Sequence, residues 1–430
     1  MCTFVVVAAQ SAIAADGDVD LSFGDGGQLT IARPPGAPTA PTPTGDVAAL
    51  ADGRFLWSMS NEDGTMWVGR AYRDGSADTT FGTEGTGHVT LSGCVDFAPT
   101  WLIAEADGGA TVWTGACLIH LASDGSIDPD FGGVPLIDQN FFVADFARDH
   151  AGRYVLAGGT GRSWNVFRFA ADGVTPDDTF GIAGEVTITV PATNNLRGLN
   201  VIAIRDDDRI AVGGWRGNSS GPNLVIAQLA VDGSLDLAWN GGALVDLDPP
   251  SGQSGISATA LAIDTDGSLV VGGVSYSGTV GCCLLLTRLD TAGAVFGNFG
   301  VRLYDLGNTA LGSFFEGRDS VAIMSDRKIL FATTIFPFSP EHRTQFGLIR
   351  AGADGTLDET FGDGGWRGYT IADPSGTGQT GDYVQLHAMA VTPGAVLLFG
   401  RTFFEDNSNG LDYISVVRTL FDQLFADGFD

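Results

Sequence analysis

Residues 74–82 read Asp-Gly-Ser-Ala-Asp-Thr-Thr-Phe-Gly, and close copies of this stretch begin at Asp124 and Asp354. We call this stretch the repeat motif. Its aromatic residue returns seven times at intervals that average about 56 residues, so the chain is built from internal repeats. The seven aromatic positions are Phe23, Phe81, Phe131, Phe180, Trp239, Phe299 and Phe361.

Between successive motifs, each unit is predicted to form four short β-strands. The second and third strands make a hairpin, whose turn reads Asp-Gly in several units, as at Asp52-Gly53 and Asp266-Gly267. This dipeptide between apolar runs is a strong hairpin signal, because a type I′ turn needs positive φ and glycine adopts it freely. The units are therefore expected to be antiparallel sheets.

Seven such sheets predict an all-β fold, a seven-bladed β-propeller with four antiparallel strands per blade. A unit of this length cannot bury both faces of its sheet alone, whereas a closed ring buries both faces and leaves only short edges. An open β-solenoid is the alternative, but its coils are usually shorter. In the ring, the seven aromatic residues are expected to fill the seams between neighbouring blades.

The first residues differ in character from the repeats. Residues 1–15 carry an apolar run that ends in Ala12-Ile13-Ala14 before acidic sequence begins. This pattern is typical of a secretory signal peptide, here without its basic first part. A buried first strand is the alternative. We expect export from a bacterial cell, to the periplasm, the cell surface or the medium, and we assign residues 16–421 to the propeller.

The last residues form an eighth, partial copy of the motif. Asp422 and Phe429 keep its seven-residue spacing, as do Asp16 and Phe23 near the other end. Because a ring of seven blades has one closing position, we predict that one of these segments occupies it and the other is displaced. Alternatively, residues 422–430 form an acidic-aromatic tail that is recognised during export.

The motif, preceded by its apolar hairpin, resembles the delta-60 repeat family of bacterial proteins. Asp232–Trp239 and Asp354–Phe361 match best, and the resemblance extends from about Asp16 to Arg418. The unit before Phe299 departs most, since it lacks the aspartates of the motif. The resemblance implies a propeller on an exported protein. It implies no catalytic residue, because the shared residues belong to the scaffold.

The charge balance excludes some partners. Asp and Glu number 51 against 22 Lys and Arg, a formal net charge of −29. Such a surface repels phosphate backbones and anionic lipids, so we expect no nucleic-acid partner. After residue 15, no stretch reaches the roughly 18 apolar residues that a membrane helix needs, so we expect no membrane insertion, and we predict a monomer.

Four cysteines follow residue 15, and an even number permits disulfides in an exported protein. Cys94 and Cys117 are expected at the same end of one blade, so we predict a disulfide between them. For the adjacent Cys282 and Cys283, a vicinal disulfide and two buried thiols are both open.

No pattern of catalytic or cofactor-binding residues appears in the sequence. The five histidines lack zinc-ligand spacing, and nucleophile and phosphate-loop motifs are absent. Asp264 and Asp266 suggest Ca²⁺ as an alternative, but a complete calcium loop is missing. We therefore assign no catalytic residue, metal or cofactor.

One long polar residue recurs in the last strand of the units, and in most units an aspartate follows it four residues later. We predict that this residue satisfies a loop carboxylate or carbonyls at the blade edge; a ring of charge for ligands is the alternative. The recurring residues are Arg70, His120, Arg168, Gln228, Arg288, Arg350 and Arg418.

The irregular sequence falls mainly on one face of the ring, and aromatic residues are frequent there. Loops on a rigid scaffold commonly carry binding residues, so the leading hypothesis is a non-catalytic scaffold that binds a protein or glycan partner. A carbohydrate-active hydrolase or lyase at the central channel and a structural surface protein are the alternatives. The candidate binding residues are Trp164, Trp215, Tyr276, Phe314, Phe315, Phe336, Phe338, Phe403 and Phe404.

Overall fold

The structure, a computed structural model, confirms the seven-bladed β-propeller with four antiparallel strands per blade. Among the described residues, no helix has the length and apolar composition to cross a bilayer. The described residues are 15–32, 45–60, 64–82, 85–94, 100–133, 141–159, 163–191, 196–217, 221–277, 280–304, 309–311, 320–337, 343–373, 383–404 and 411–421, with only the backbone described for 280–282, 309–311, 336–337 and 411–412.

Strand β1 (Gln28–Ala32) precedes the first complete sheet, and the other strands follow blade by blade. Blade 1 contains β2 (Val47–Ala49), β3 (Phe55–Ser60), β4 (Thr65–Ala71) and β5 (His88–Ser92); blade 2 contains β6 (Trp101–Ala104), β7 (Ala110–Trp113) and β8 (Leu118–Leu121); blade 3 contains β9 (Phe142–Arg148), β10 (Tyr154–Gly159), β11 (Trp164–Phe169) and β12 (Glu185–Ile188). Blade 4 contains β13 (Arg197–Ile204), β14 (Ile210–Gly217), β15 (Pro222–Leu229) and β16 (Val245–Leu247); blade 5 contains β17 (Gly255–Ile263), β18 (Leu269–Ser277), β19 (Val280–Leu289) and β20 (Val301–Tyr304). Blade 6 contains β21 (Thr309–Leu311), β22 (Val321–Ile323), β23 (Ile329–Pro337), β24 (Gln345–Ala351) and β25 (Trp366–Tyr369); blade 7 contains β26 (Tyr383–Thr392), β27 (Ala395–Phe404), β28 (Leu411–Leu420) and β1.

The first strand of each sheet lies at the centre of the ring. Strands β2, β6, β9, β13, β17 and β22 contact one another in succession, and β26 contacts β2. In blade 6, the short strands β21 and β22 both pair with β23. A buried apolar cluster occupies each seam between neighbouring blades, so the core is divided into seven interblade parts.

The blades begin one strand later than the repeat suggests. The strand that follows each motif, such as β5 after the motif at Asp74, pairs with the preceding strand β4 and forms the outer edge of the same blade. The motif is therefore the loop between the third and fourth strands of a blade. The sequence repeat predicts this strand as the first strand of the next blade. That prediction is wrong, because the strand forms its hydrogen bonds with the strand that precedes it in the chain.

The N-terminal copy of the motif closes the ring. Strand β1 pairs antiparallel with β28, from Gln28 opposite Val417 to Ala32 opposite Tyr413, and so supplies the outer strand of blade 7. Asp16 accepts a hydrogen bond from Arg350 of blade 6 at 2.5 Å. Of the two competing segments, Asp16–Phe23 occupies the closing position, while residues 422–430 lie outside the described residues, as do residues 1–14.

The motif aromatics form a continuous circle of contacts. Each packs on the glycine of the next motif: a Cβ added at Gly233 would lie 3.0 Å from the ring of Phe180, and one at Gly17 would lie 2.7 Å from that of Phe361. These glycines also have positive φ, +85° at Gly233, so no side chain fits there without strain. Six of the seven aromatics are buried, and Phe131 is partly exposed. All seven pack in the apolar clusters between neighbouring blades.

The predicted disulfide between Cys94 and Cys117 is present, with 6.0 Å between the two Cα atoms. It joins neighbouring blades, since Cys94 follows the outer strand of blade 1 and Cys117 precedes β8 of blade 2. The Thr114 hydroxyl also donates to the Cys94 carbonyl. Cys283 is half-buried on β19, but the Cys282 side chain lies outside the described residues, so the question of their pairing stays open.

Replacing both Cys94 and Cys117 with serine is expected to lower the free energy of unfolding by roughly 3 kcal/mol. The bond spans 23 residues of sequence, and losing it restores that loop's freedom in the unfolded chain. Urea unfolding of the oxidised wild type and of the variant measures the difference. A reductant should then shift the midpoint of the wild type and leave that of the double variant unchanged.

Candidate functional site

The propeller has two faces of different character. The motif face carries the turns between the first and second strands and the motif loops, such as residues 50–54 and 72–82 in blade 1. The variable face lies at the opposite ends of the strands, where the second strand ends and the third begins. This division agrees with the sequence prediction, because the same loops share a face wherever the blade is taken to begin.

Arg70 joins blade 1 to blade 2 on the motif face. Its Nε donates to Asp78 Oδ2 at 2.7 Å, and its Nη1 donates to the carbonyls of Gly108 and Ser123 in blade 2 at 2.7 and 2.6 Å. The guanidinium also lies 4.8 Å from the ring centre of Phe81. Corresponding contacts at Arg168 and Arg350 make this a repeated seam, as the structural interpretation predicted.

The carboxylate partner is the second aspartate of the motif, not the first one that the four-residue spacing suggested. The Asp74 carboxylate instead accepts the N–H and hydroxyl of Ser76 at 2.9 and 2.6 Å and so fixes its own turn. Burial raises the pKa of Asp78, but hydrogen bonds from Thr80 and the guanidiniums of Arg54 and Arg70 outweigh it and lower the pKa well below its usual value. The second aspartate is therefore held ionised within the scaffold.

In blade 4, a glutamine stands at the position that Arg70 has in blade 1. An arginine directly after the first strand of the blade supplies the interblade contact instead. Gln228 donates to Asp236 at 2.6 Å and accepts a hydrogen bond from Arg205 Nε at 2.6 Å. Arg205 Nη1 then donates to the Gly267 carbonyl of blade 5 at 2.6 Å. The seam is thus preserved although the sequence of the strand has changed.

Blades 2 and 5 use cations from the following blade. His120 stands at the arginine position of blade 2, and Arg148 of blade 3 reaches back to Glu105 at 2.6 Å. In blade 5, where the motif lacks aspartates, Asp264 of the hairpin turn binds both Arg288 and Arg327. Arginines of several blades, Arg70, Arg148 and Arg168 among them, therefore make interblade contacts on the motif face.

The aspartates that suggested calcium take part in these contacts. The Asp266 carboxylate accepts a hydrogen bond from Arg327 and, at 2.9 Å, another from the backbone N–H of Ser268. Within the described ranges, no group of three or more His, Cys, Asp or Glu side chains is arranged to hold a metal ion.

A shallow depression of about 470 Å³ lies on the motif face between blades 7 and 1. Its polar walls are largely paired with each other: Arg54 binds Asp52 at 2.7 Å, and Asp74 binds Ser76. Arg73, at its edge, is exposed. The lining residues are Ser22, Asp52, Arg54, Tyr72, Arg73, Asp74 and Ser76.

The structure divides the predicted binding aromatics into three groups. Trp164 and Phe404 are 0% and 3% exposed and belong to the seam clusters, so they are not available to a partner. Trp215, Tyr276 and Phe403 are half-buried at strand ends on the variable face. Phe314, Phe315, Phe338 and the Phe336 side chain lie outside the described residues.

Sequence reasoning missed further aromatic residues on this face. Trp101 and Trp113 pair across β6 and β7 at the variable end of blade 2. Trp113 is 3% exposed and belongs to a seam cluster, whereas Trp101 is half-buried; neither indole Nε1 has a hydrogen-bond partner among the described residues. Phe142 is 53% exposed at the start of β9. Their positions at the ends of predicted strands were the available signal.

The inner strands share a local irregularity. Four of them contain a β-bulge at the same place, and each bulged residue is partly exposed between two buried neighbours. A bulge re-aims one side chain relative to the regular strand. The bulged residues are Ala144, Asn200, Thr259 and His387.

Two of these bulged residues present unsatisfied polar atoms. Thr259 Oγ1 and His387 Nδ1 are buried without a hydrogen-bond partner. Burial, and secondarily the charge of Arg401, lowers the pKa of His387 to about 4, so its imidazole is neutral at neutral pH. Of the four bulged residues, Ala144 is apolar, and Asn200, Thr259 and His387 are uncharged polar residues at neutral pH.

The chain shows two kinds of similarity to known proteins. Residues 205–238 match a family model described as a domain of unknown function (DUF5122) beta-propeller. No curated protein sequence matches the chain. The matched residues run from the hairpin turn of blade 4 to the end of its motif.

Solved structures share the fold at low sequence identity. Puromycin hydrolase superposes with a TM-score of 0.51 and 14% identity, covering 93% of this chain and 57% of that chain, so this chain spans little more than half of its length. The β-propeller domain of Cps50 from Myceliophteria thermophila has a TM-score of 0.42, 11% identity and coverages of 90% and 99%. A gluconolactonase from Xanthomonas campestris has a TM-score of 0.37, 15% identity and coverages of 90% and 99%.

At these identities the likeness shows the fold alone. The chain is a seven-bladed β-propeller, and part of its fourth blade is similar to a β-propeller family of unknown function.

Proposed function

We propose that this protein is a non-catalytic binding scaffold that engages a protein or glycan partner through its variable face. The observation that supports the proposal is the contrast between the two faces. On the motif face, an arginine binds the second aspartate of the motif in the same way in blades 1, 3 and 6. The variable face keeps half-buried rings, Trp215 and Tyr276 among them, at the ends of its strands.

Exposed apolar side chains also occur on the motif face, and one of them can serve as the control for the binding experiment. Leu21, Ile182 and Leu237 are 77%, 86% and 79% exposed, but they belong to the motif loops of three different blades. Single exposed apolar residues are normal on a protein surface. We therefore assign the partner to the variable face and use the motif face for comparison.

Replacing Trp215 and Tyr276 together with serine is expected to weaken partner binding at least about tenfold, because aromatic side chains dominate interface energetics. A glycan array and a pull-down with the full chain identify the partner, and titration calorimetry measures its affinity. Ile182→Ser is the matched control and should leave binding unchanged. Loss of binding in Ile182→Ser with retention in the double variant would place the partner on the motif face instead.

A further inference from the structure

Arg197 lies at the variable-face end of the innermost strand of blade 4, in an unfavourable electrostatic setting. It begins β13 and lies directly opposite Arg216 of β14. Like charges at directly opposed positions of antiparallel strands repel each other and destabilise the pair. In a chain with a net charge of −29, two adjacent cations call for a physical explanation.

The neighbouring carboxylates are already engaged. Arg216 binds Asp246 Oδ2 at 2.6 Å. Asn223 Nδ2 donates hydrogen bonds to Asp246 Oδ1 at 3.0 Å and to Asp248 Oδ1 at 2.7 Å. The charge of Arg216 is thereby balanced within the blade, whereas that of Arg197 is not.

Arg197 itself makes no hydrogen bond or ion pair with any residue in the part of the chain that the structure describes. Its Nε is buried without a partner. The residue as a whole is half-buried, and its two terminal nitrogens are not among the fully buried unpaired atoms, so part of the guanidinium is accessible to solvent. The backbone on either side fixes this position, because Leu199 belongs to the apolar cluster between blades 3 and 4.

An anion supplied from outside would remove the imbalance. A guanidinium binds a carboxylate through two parallel, charge-assisted hydrogen bonds, which are about twice as strong as neutral ones. On the motif face, Arg70 and Arg168 bind carboxylates of the protein itself, those of Asp78 and Asp177. Arg197 combines a partly buried guanidinium with an open tip, and this combination suits a ligand.

The surroundings favour an acidic saccharide as the source of that carboxylate. Trp215 is opposite Gly198, one position beyond Arg197, and its indole lies over that glycine, where an added Cβ would be 2.4 Å from Nε1. The half-buried Trp215 ring therefore lies near the same end of β13 as Arg197, on the opposite face of the sheet. A ligand that lies across this end of the blade can place a carboxylate on Arg197 and a flat sugar ring against Trp215. Polyanions of high charge density are disfavoured by the net charge of the chain.

We propose that Arg197, flanked by Arg216 and Trp215, binds the carboxylate of a uronate- or sialate-type saccharide. The inference rests on the proposed function and names the ligand class for the variable face. The acid-bearing form of the ligand should bind better than its neutral form, and the difference should depend on Arg197.

The test is titration of the full chain with oligosaccharides that carry glucuronate, galacturonate or sialate, each beside its carboxyl-reduced, neutral counterpart. At least one acidic member should bind, and Arg197→Gln should weaken that binding about tenfold or more, as expected for the loss of a charged hydrogen bond. Arg73→Gln is the matched control. It removes an exposed arginine on the motif face and should leave the affinity unchanged.

Other outcomes separate this inference from the proposed function. If a neutral oligosaccharide binds as well as its acidic form, and Arg197→Gln has no effect, the carboxylate site is refuted while a glycan-binding variable face stands. If no acidic saccharide binds but an acidic peptide does so through Arg197, the ligand class is wrong. If Arg73→Gln weakens binding as much as Arg197→Gln, the effect is one of net charge and the site is refuted.

Discussion

Removing residues 1–32 is expected to lower the free energy of unfolding by at least about 5 kcal/mol, enough to abolish a cooperative unfolding transition in a marginally stable propeller. The deletion takes away the outer strand of blade 7 and the fully buried ring of Phe23, whose loss alone is worth roughly 3–5 kcal/mol. It also removes Asp20 and Asp16, and so leaves Arg418 and Arg350 without those carboxylates. Urea unfolding followed by near-ultraviolet circular dichroism measures the effect.

Deletion of residues 422–430 is the matched control, since that segment carries the same spacing of Asp and Phe. The structure places Asp16–Phe23 in the closing position, so this shorter chain should unfold at the same urea concentration as the full chain. Equal destabilisation by the two deletions would show that both copies contribute to closure and would contradict this assignment.

Arg70→Met is expected to lower the free energy of unfolding by about 3–5 kcal/mol, the usual result of breaking a buried ion pair from one side. Methionine keeps much of the volume but none of the donors, so Asp78 and the carbonyls of Gly108 and Ser123 lose a buried partner at once. The Arg70 side chain is only 3% exposed, and solvent cannot replace these bonds. Denaturant unfolding at neutral pH gives the difference directly.

Arg73→Met provides the comparison for this second prediction. Arg73 is three residues from Arg70, but it is exposed, and a surface change of this kind usually alters stability by no more than about 0.5 kcal/mol. If Arg70→Met and Arg73→Met unfold at the same denaturant concentration, Arg70 does not hold blades 1 and 2 together.

Much of the architecture was predictable because it repeats. The seven aromatics and the Asp-Gly turns fix the number of blades and the hairpins, and the Cys94–Cys117 bond followed from their common end of the ring. The blade boundary was not predictable from spacing, because a strand such as β5 can pair backwards or forwards. The backbone hydrogen bonds to β4 decide it.

The site was less predictable, for two physical reasons. Aromatics at strand ends can point into a seam or out of it, and sequence alone did not distinguish Trp164, which is buried, from Trp215, which is not. The isolation of Arg197 depends on cross-strand register, since it appears only once Arg216 is known to be its opposite neighbour and Asp246 to be engaged. Neither fact is local in sequence.

The pairing of β1 with β28 also determines the order in which the molecule can be completed. Of the described propeller strands, β1 is synthesised first and its partner β28 last, so blade 7 is the last sheet that can be completed during synthesis. Until β28 has been made, β1 has no partner strand, and its unpaired backbone N–H and carbonyl groups form the kind of template on which other chains aggregate. Folding with such distant contacts is intrinsically slow. Strand β1 is therefore exposed to aggregation for as long as the synthesis of the other blades takes.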